Sequence, residues 1–263
     1  MKDEPRAHPF RDSQQDVTTA RQIPNTAQTR AAAYRLAFTD DAFMTREELR
    51  PVRLQLELLK PQLMLDEAGI GSTVVLFGGA RIRQDGEGPL AQYYDEARRF
   101  ARKITEKSLA SGNGEWVIVT GGGPGVMEAG NRGAADAGGR SIGLNIVLPH
   151  EQAPNQYVTP GLCFNFHYFA IRKMHFLMRA AAVAVFPGGF GTMDEMFEAL
   201  TLIQTKRMKP LPFLLFGERF WRGVINWDAL VEAGTISPAD LGLFQFVETA
   251  DQAVAAIAAW AVT

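Results

Sequence analysis

From Gly69 onward the chain alternates short, almost wholly apolar β-type runs with helical stretches. The runs fall at 73–77, 116–120, 141–148, 182–186, 212–216 and 244–247. The helical stretches fall between and after them, at about 89–110, 125–138, 168–180, 191–206, 220–232 and 250–262. A strand with one solvated face alternates apolar and polar residues, whereas a strand covered on both faces does not. The pattern therefore predicts an α/β fold, a doubly wound parallel sheet with helices on both faces, over residues 71–263. In such sheets ligands bind beyond the carboxyl ends of the strands, where the strand order reverses. Residues 1–30, rich in Gln, Thr, Asp and Arg, read as a flexible polar tail. Residues 31–70 read as a helical N-terminal extension: Thr45-Arg-Glu-Glu48 matches a capping box, and Leu54, Leu58, Pro61 and Leu65 fall near one face. Pro51 and Pro61 predict a broken helical arm rather than one rod.

Three of the strand exits are glycine-rich. They are Phe77-Gly78-Gly79-Ala80-Arg81, then Thr120-Gly121-Gly122-Gly123-Pro124-Gly125-Val126-Met127-Glu128, then Phe186-Pro187-Gly188-Gly189-Phe190-Gly191-Thr192-Met193-Asp194-Glu195. One such loop is an ordinary tight turn, but three at one sheet edge point to a ligand. Glycine lets the backbone approach closely, and the amides of a helix N-terminus suit a phosphate. Gly188, Gly189, Gly191 and the Thr192 hydroxyl can hold one phosphate without a lysine. No G-x-G-x-x-G is present and no Gly precedes a Lys, which excludes the dinucleotide fingerprint and the P-loop. With 27 basic against 29 acidic residues the net charge is −2, so a nucleic-acid backbone is not an expected partner. The single Cys163 excludes an internal disulfide and a cysteine-built zinc site, and reads as an unreactive bystander. His167 and His175 have no neighbour at metal-ligand spacing, so no metal is expected, and His8 and His150 carry no signal. The longest apolar run, 180–186, is far too short to span a bilayer; no membrane segment and a cytoplasmic location are expected.

Two further positions carry chemistry. Glu195 lies four residues beyond Gly191, in the first turns of the helix that opens at the third loop. An acid there complements the helix dipole, yet it also sits beside an anion site, where it would repel phosphate unless it had a catalytic task. Asp194 lies about 100° round the helix from it. Arg172-Lys173 stands inside the aromatic and apolar stretch 164–178, and its two cations need either partners or solvent. A guanidinium there offers planar donors to a carboxylate, a phosphate or a purine edge.

Pro187-Gly-Gly-Phe-Gly-Thr-Met-Asp-Glu195, with Arg172-Lys173 upstream, resembles the Lonely Guy (LOG) family of phosphoribohydrolases, formerly labelled lysine decarboxylase-like. The resemblance runs from about Ser72 to Val247. It implies a Rossmann-like domain that hydrolyses the N-glycosidic bond of a nucleoside 5′-monophosphate, AMP or a cytokinin riboside 5′-monophosphate, to free base and ribose 5-phosphate. Carried over, Arg172 and Glu195 match the catalytic pair, and Gly188, Gly189, Gly191 and Thr192 match the phosphate loop. Lys173, Gly78, Gly79, Arg81, Gly121, Gly122, Gly123 and Glu128 match positions around the nucleotide cleft. The resemblance implies no cofactor, and a homodimer or higher homo-oligomer with the site near the subunit contact. Phe190, Asp194 and Gly79 depart from the cytokinin-activating pattern, where Tyr, Glu and Ser are usual, as do Phe169-Ala-Ile171 and the N-terminal extension. A non-catalytic nucleotide- or pterin-phosphate carrier on the same fold is the rival reading. A pyridoxal-phosphate decarboxylase is disfavoured because no His-Lys pair exists among the seven lysines.

Overall fold

A computed structural model describes residues 10–148 and 153–260. The chain divides into two compact units, Met1–Leu56 and Glu57–Thr263. His150 lies outside the described residues.

In the first unit, two short helices stand where a polar tail was expected, α1 (Ser13–Ala20) and α2 (Ala27–Arg30), with no buried residue in either. Asp12 and Thr26 cap them through their side chains, which is enough to set a turn locally without a core. The expected capping box at Thr45–Glu48 is absent. Thr45 instead ends α3 (Asp41–Met44), its hydroxyl donating to the Asp41 carbonyl, and Asp40 does the capping. Nor is the arm broken at its prolines. A single helix, α4 (Arg50–Glu67), contains both. Pro51 is tolerated because first-turn amides have no intrahelical acceptor in any case. Pro61 is buried mid-helix, and it leaves the carbonyl four residues back, that of Glu57, without its helical donor.

The second unit is built on a seven-stranded, all-parallel sheet in the order β4-β3-β2-β1-β5-β6-β7. Its strands are β1 (Thr73–Phe77), β2 (Val117–Thr120), β3 (Ser141–Ile146), β4 (Cys163–Phe166), β5 (Ala180–Val185), β6 (Phe213–Phe216) and β7 (Gln245–Val247). Successive β1 side chains serve opposite cores. Val75 and Phe77 pack with α7 (Phe169–Met178) and α8 (Phe190–Gln204) through Phe176, Met196, Ala199 and Ile203. Val74 and Leu76 pack with α5 (Gln92–Ala110), α6 (Val126–Asp136) and α11 (Ala250–Trp260) through Phe100, Ile104, Ala129 and Ile257. The Rossmann-like expectation is thereby met, with two corrections of detail.

β4 stands where only an apolar run leading into a helix was expected. It is an edge strand whose Asn165 is exposed between buried Phe164 and Phe166, so it lacks the continuous apolarity of its neighbours. The helix expected at 220–232 is two, α9 (Glu218–Val224) and α10 (Trp227–Glu232), because Asn226 caps the second through its side chain on the Ala229 amide. Finally, the C-terminal half of α4 packs with the sheet unit through Leu65. The order reverses between β1 and β5, and the exits of these two strands, the first and third glycine loops, are neighbours.

Candidate active site

Backbone hydrogen bonds join the three glycine loops through one residue. Gly79 donates its amide to the Pro187 carbonyl (3.0 Å) and accepts at its carbonyl from Val126 (3.2 Å). The second loop is fixed from the other side by Asn155. Its side-chain amide donates to the carbonyls of Gly122 and Gly123, both at 3.0 Å, and to Asn131 Oδ1 at 2.9 Å. Asn131 is fully buried, accepts from the Thr120 hydroxyl (2.7 Å) and donates to Ser141 Oγ (3.0 Å). The sequence offered no local signal for Asn131 or Asn155, because their partners are backbone atoms and side chains brought in by the fold.

The glycines divide into two roles. A Cβ at Gly189 or Gly191 would meet nothing within 4 Å, so the backbone there faces open space. Gly189 is the N-cap of α8 and supplies no side-chain cap, and the first helical bond runs from Met193 to Gly189. The amides of Phe190, Gly191 and Thr192 therefore have no intrahelical acceptor. Thr192 is buried with its hydroxyl over Gly188, where a Cβ would lie 2.2 Å from Oγ1. Together these groups form an uncharged anion cradle at the positive end of α8.

The other glycines make room for side chains. Gly78 packs on Val126, Gly122 (φ +74°) on Asn145, and Gly123 on Met127. Gly121 lies against Arg172, such that a Cβ would fall 2.6 Å from Nη2. A recess of about 600 Å³ lies at the β1/β5 reversal, lined by Gly79, Arg81, Ile82, Leu90, Phe190 and Phe220 among others. One turn into α6, the Glu128 carboxylate accepts a hydrogen bond from the Tyr94 hydroxyl of α5 (2.9 Å) and lines a second recess with Arg83 and Pro124.

Arg172 and Glu195 meet between the second and third loops. Arg172, on α7, is buried; its Nε donates to the Leu144 carbonyl at 2.7 Å and its Nη1 to Glu195 Oε1 at 3.2 Å. Its guanidinium also sits over the Phe176 ring, 5.0 Å from the centroid. Glu195 lies one turn beyond Gly191 and Thr192 on α8, on the face the cradle uses. Burial pushes its carboxyl up to about 7, against the opposing pull of Arg172. Lys173 and Asp194 point elsewhere. Lys173 Nζ pairs with Asp194 (2.9 Å) and Glu198 (2.8 Å). Burial works against its charge, but the two carboxylates outweigh it and raise its pKa.

This arrangement places a carboxyl poised near neutrality within one helical turn of the open N-terminus of α8. Residues 127–257 match the protein family described as "Possible lysine decarboxylase". The chain carries a domain of that LOG-type family. Two solved structures share its fold. One is the structural-genomics target TM1055, at 22% identity and a TM-score of 0.50, covering 72% of this chain and 99% of that one. The other is titled the molybdenum cofactor binding protein from the phototrophic bacterium Rippkaea orientalis, at 18% identity and a TM-score of 0.51, covering 73% and 98%. No curated protein matches the chain. Among the described residues, no cluster of His, Cys, Asp and Glu could hold a metal ion, and no helix is long and apolar enough to cross a membrane.

The decarboxylase chemistry in the family's description calls for pyridoxal phosphate, whose aldehyde needs a neutral lysine amine. The lysine beside this site does not fit. Lys173 is held as an ammonium by two carboxylates.

Proposed function

We propose that this protein hydrolyses the N-glycosidic bond of a purine nucleoside 5′-monophosphate, releasing the free base and ribose 5-phosphate. The observation that carries the reading is the buried Arg172–Glu195 pair one helical turn from an uncharged phosphate cradle. A ligand that was only bound would need the cradle; it would not need a carboxyl raised to about 7.

The 5′-phosphate is held by the amides of Phe190, Gly191 and Thr192 and by the Thr192 hydroxyl, so that binding at the remote end positions C1′ near Glu195. As the C1′–N bond breaks, its electron pair leaves with the base and positive charge builds on the sugar. Ionised Glu195 faces that charge and takes a proton from the attacking water as its oxygen bonds to C1′. The base takes up a proton from solvent as it leaves and Glu195 returns the water's proton to solvent, so charge and atoms balance and the carboxylate is restored. Arg172, anchored at Leu144, keeps Glu195 in register. The homo-oligomer implied by the family resemblance belongs to the same proposal.

Incubation of the pure protein with AMP and other nucleoside monophosphates, with detection of ribose 5-phosphate, tests the reading. Release that is lost in Glu195→Gln supports it. Binding of the nucleotides without release from any of them refutes it and favours a non-catalytic carrier; the Rippkaea protein is itself described as a binding protein, for the molybdenum cofactor.

A further inference from the structure

The α4 helix makes contacts that the proposed chemistry does not itself require. Glu57 extends its carboxylate to the entry of α7: Oε1 accepts from the His167 amide at 2.8 Å and Oε2 from the Tyr168 amide at 3.1 Å. These are the two backbone amides immediately before the helix that carries Arg172, and an acid at that end also complements the positive end of the helix dipole. The main chain of the same residue makes a second attachment. The Glu57 carbonyl is the one that Pro61 deprives of a helical donor, and His175 Nε2 lies 3.2 Å from it. A carbonyl only accepts, so Nε2 carries the proton. Burial lowers the pKa of His175, which keeps the ring neutral with Nδ1 bare. The C-terminal end of α7 is tied down as well. Arg179 donates to Asp66 Oδ1 and to the Ile70 carbonyl, both at 2.6 Å.

Arg172 lies between these attachments, one turn after Tyr168 and one turn before His175. Its guanidinium has little latitude: the Leu144 carbonyl, Glu195 and the space left at Gly121 define its place. An axial shift of α7 of about 1 Å would move the guanidinium out of reach of Glu195, and misplacements of that size cost up to about 100-fold in rate. We propose that Glu57 is a positioning residue for Arg172, fixing α7 by its carboxylate at the helix entry and by its carbonyl at His175. Glu57 thus acts on the chemistry without touching the reacting atoms. The inference rests on the hydrolase reading for its kinetic consequence, though not for its structural one.

The test compares Glu57→Gln and Glu57→Ala in the full chain. Gln keeps one acceptor oxygen for the two amides and Ala keeps none, while both retain the carbonyl to His175. In AMP hydrolysis, kcat falls by about 10-fold in Glu57→Ala and less in Glu57→Gln, with KM held within about twofold because the phosphate cradle is untouched. A second readout needs no substrate. The titration of the Glu195 carboxyl is followed by carbon-13 NMR, with the signal assigned by its loss in Glu195→Gln. Its midpoint moves upward in both variants as the opposing charge of Arg172 recedes. An unchanged midpoint in a folded variant overturns the proposal, even where thermal stability drops, since that leaves Glu57 a purely structural cap. If Glu57→Ala does not fold, Glu57→Gln decides by the same midpoint. If the wild type releases no ribose 5-phosphate, the hydrolase reading fails by itself and the titration still judges Glu57.

Discussion

Replacing Glu195 by Gln keeps the side chain's shape and removes its ionisation, so the stability of the pair of proteins as a function of pH isolates this one group. In the folded protein the carboxyl titrates at about 7, against 4.5 for the unperturbed group. Between these values the native state binds the proton more tightly than the unfolded chain. The stability contributed by the protonated carboxyl is therefore fully present below pH 4.5 and is lost as pH rises through 7. The whole effect is about 3 kcal/mol, at about 1.4 kcal/mol per tenfold change in the ionisation constant. Most of it, about 2–3 kcal/mol, falls between pH 5 and pH 8. The assay is urea unfolding of both proteins at these two pH values. Wild-type stability minus that of Glu195→Gln falls by about 2–3 kcal/mol from pH 5 to pH 8, an amount above the uncertainty of linear extrapolation. Because the difference is taken between the two pH values, the loss of the Arg172 bond to an ionised partner is already included in it. A difference that does not change with pH would refute the view that burial, rather than the attraction of Arg172, governs this carboxyl.

The same titration sets the direction of activity. Glu195 accepts a proton from water only when ionised, so kcat/KM for AMP rises with pH and reaches half its plateau near pH 7, measured as ribose 5-phosphate release across pH 5 to 9. Gly121→Ala places a methyl 2.6 Å from Arg172 Nη2 and 2.8 Å from Met127 Sδ, which costs about 1–3 kcal/mol of stability by overpacking. It also lowers kcat by at least about 10-fold through displacement of the guanidinium, as steady-state kinetics would show. Asn131→Ala leaves the Thr120 hydroxyl, Ser141 and Asn155 without their shared buried partner, for a loss of about 1–3 kcal/mol or more in urea unfolding.

The sheet was legible because its inner strands are buried on both sides and so are almost wholly apolar, as β1 is from Val74 to Phe77. β4 escaped because an edge strand has one side to solvent, and the exposed Asn165 interrupts its apolar run. The open start of α8 at Gly189, Gly191 and Thr192 could be read because its geometry is local, one turn of one helix, and so could the place of Glu195 one turn further on. What could not be read were relations across the chain. Gly121 was legible as a glycine of the second loop, but not as the residue that clears space for an arginine 51 residues later. Glu128, one turn into its helix, is claimed by Tyr94 of a neighbouring helix. Pro61 marked a helix break, because the rule for proline counts the bond lost inside the helix and not the tertiary bond, to His175, that the exposed carbonyl can make.

The two polar side chains at the centre of the site hang from helices whose opposite faces are core. Glu195 stands next to Met196, and Arg172 one turn from Phe176, which meets Phe77 of β1 edge-on at 5.0 Å. Enzymes often mount their reactive groups on loops that open separately from the body of the fold, so that activity disappears on heating before the protein melts. Here the local opening free energy of the first turns of α8 is tied to that of the sheet's central layer. If the proposed hydrolysis holds, loss of activity and global unfolding are expected to fall together on heating, with amide exchange at Met196 and Phe176 as slow as at Val75, which hydrogen-exchange measurement checks.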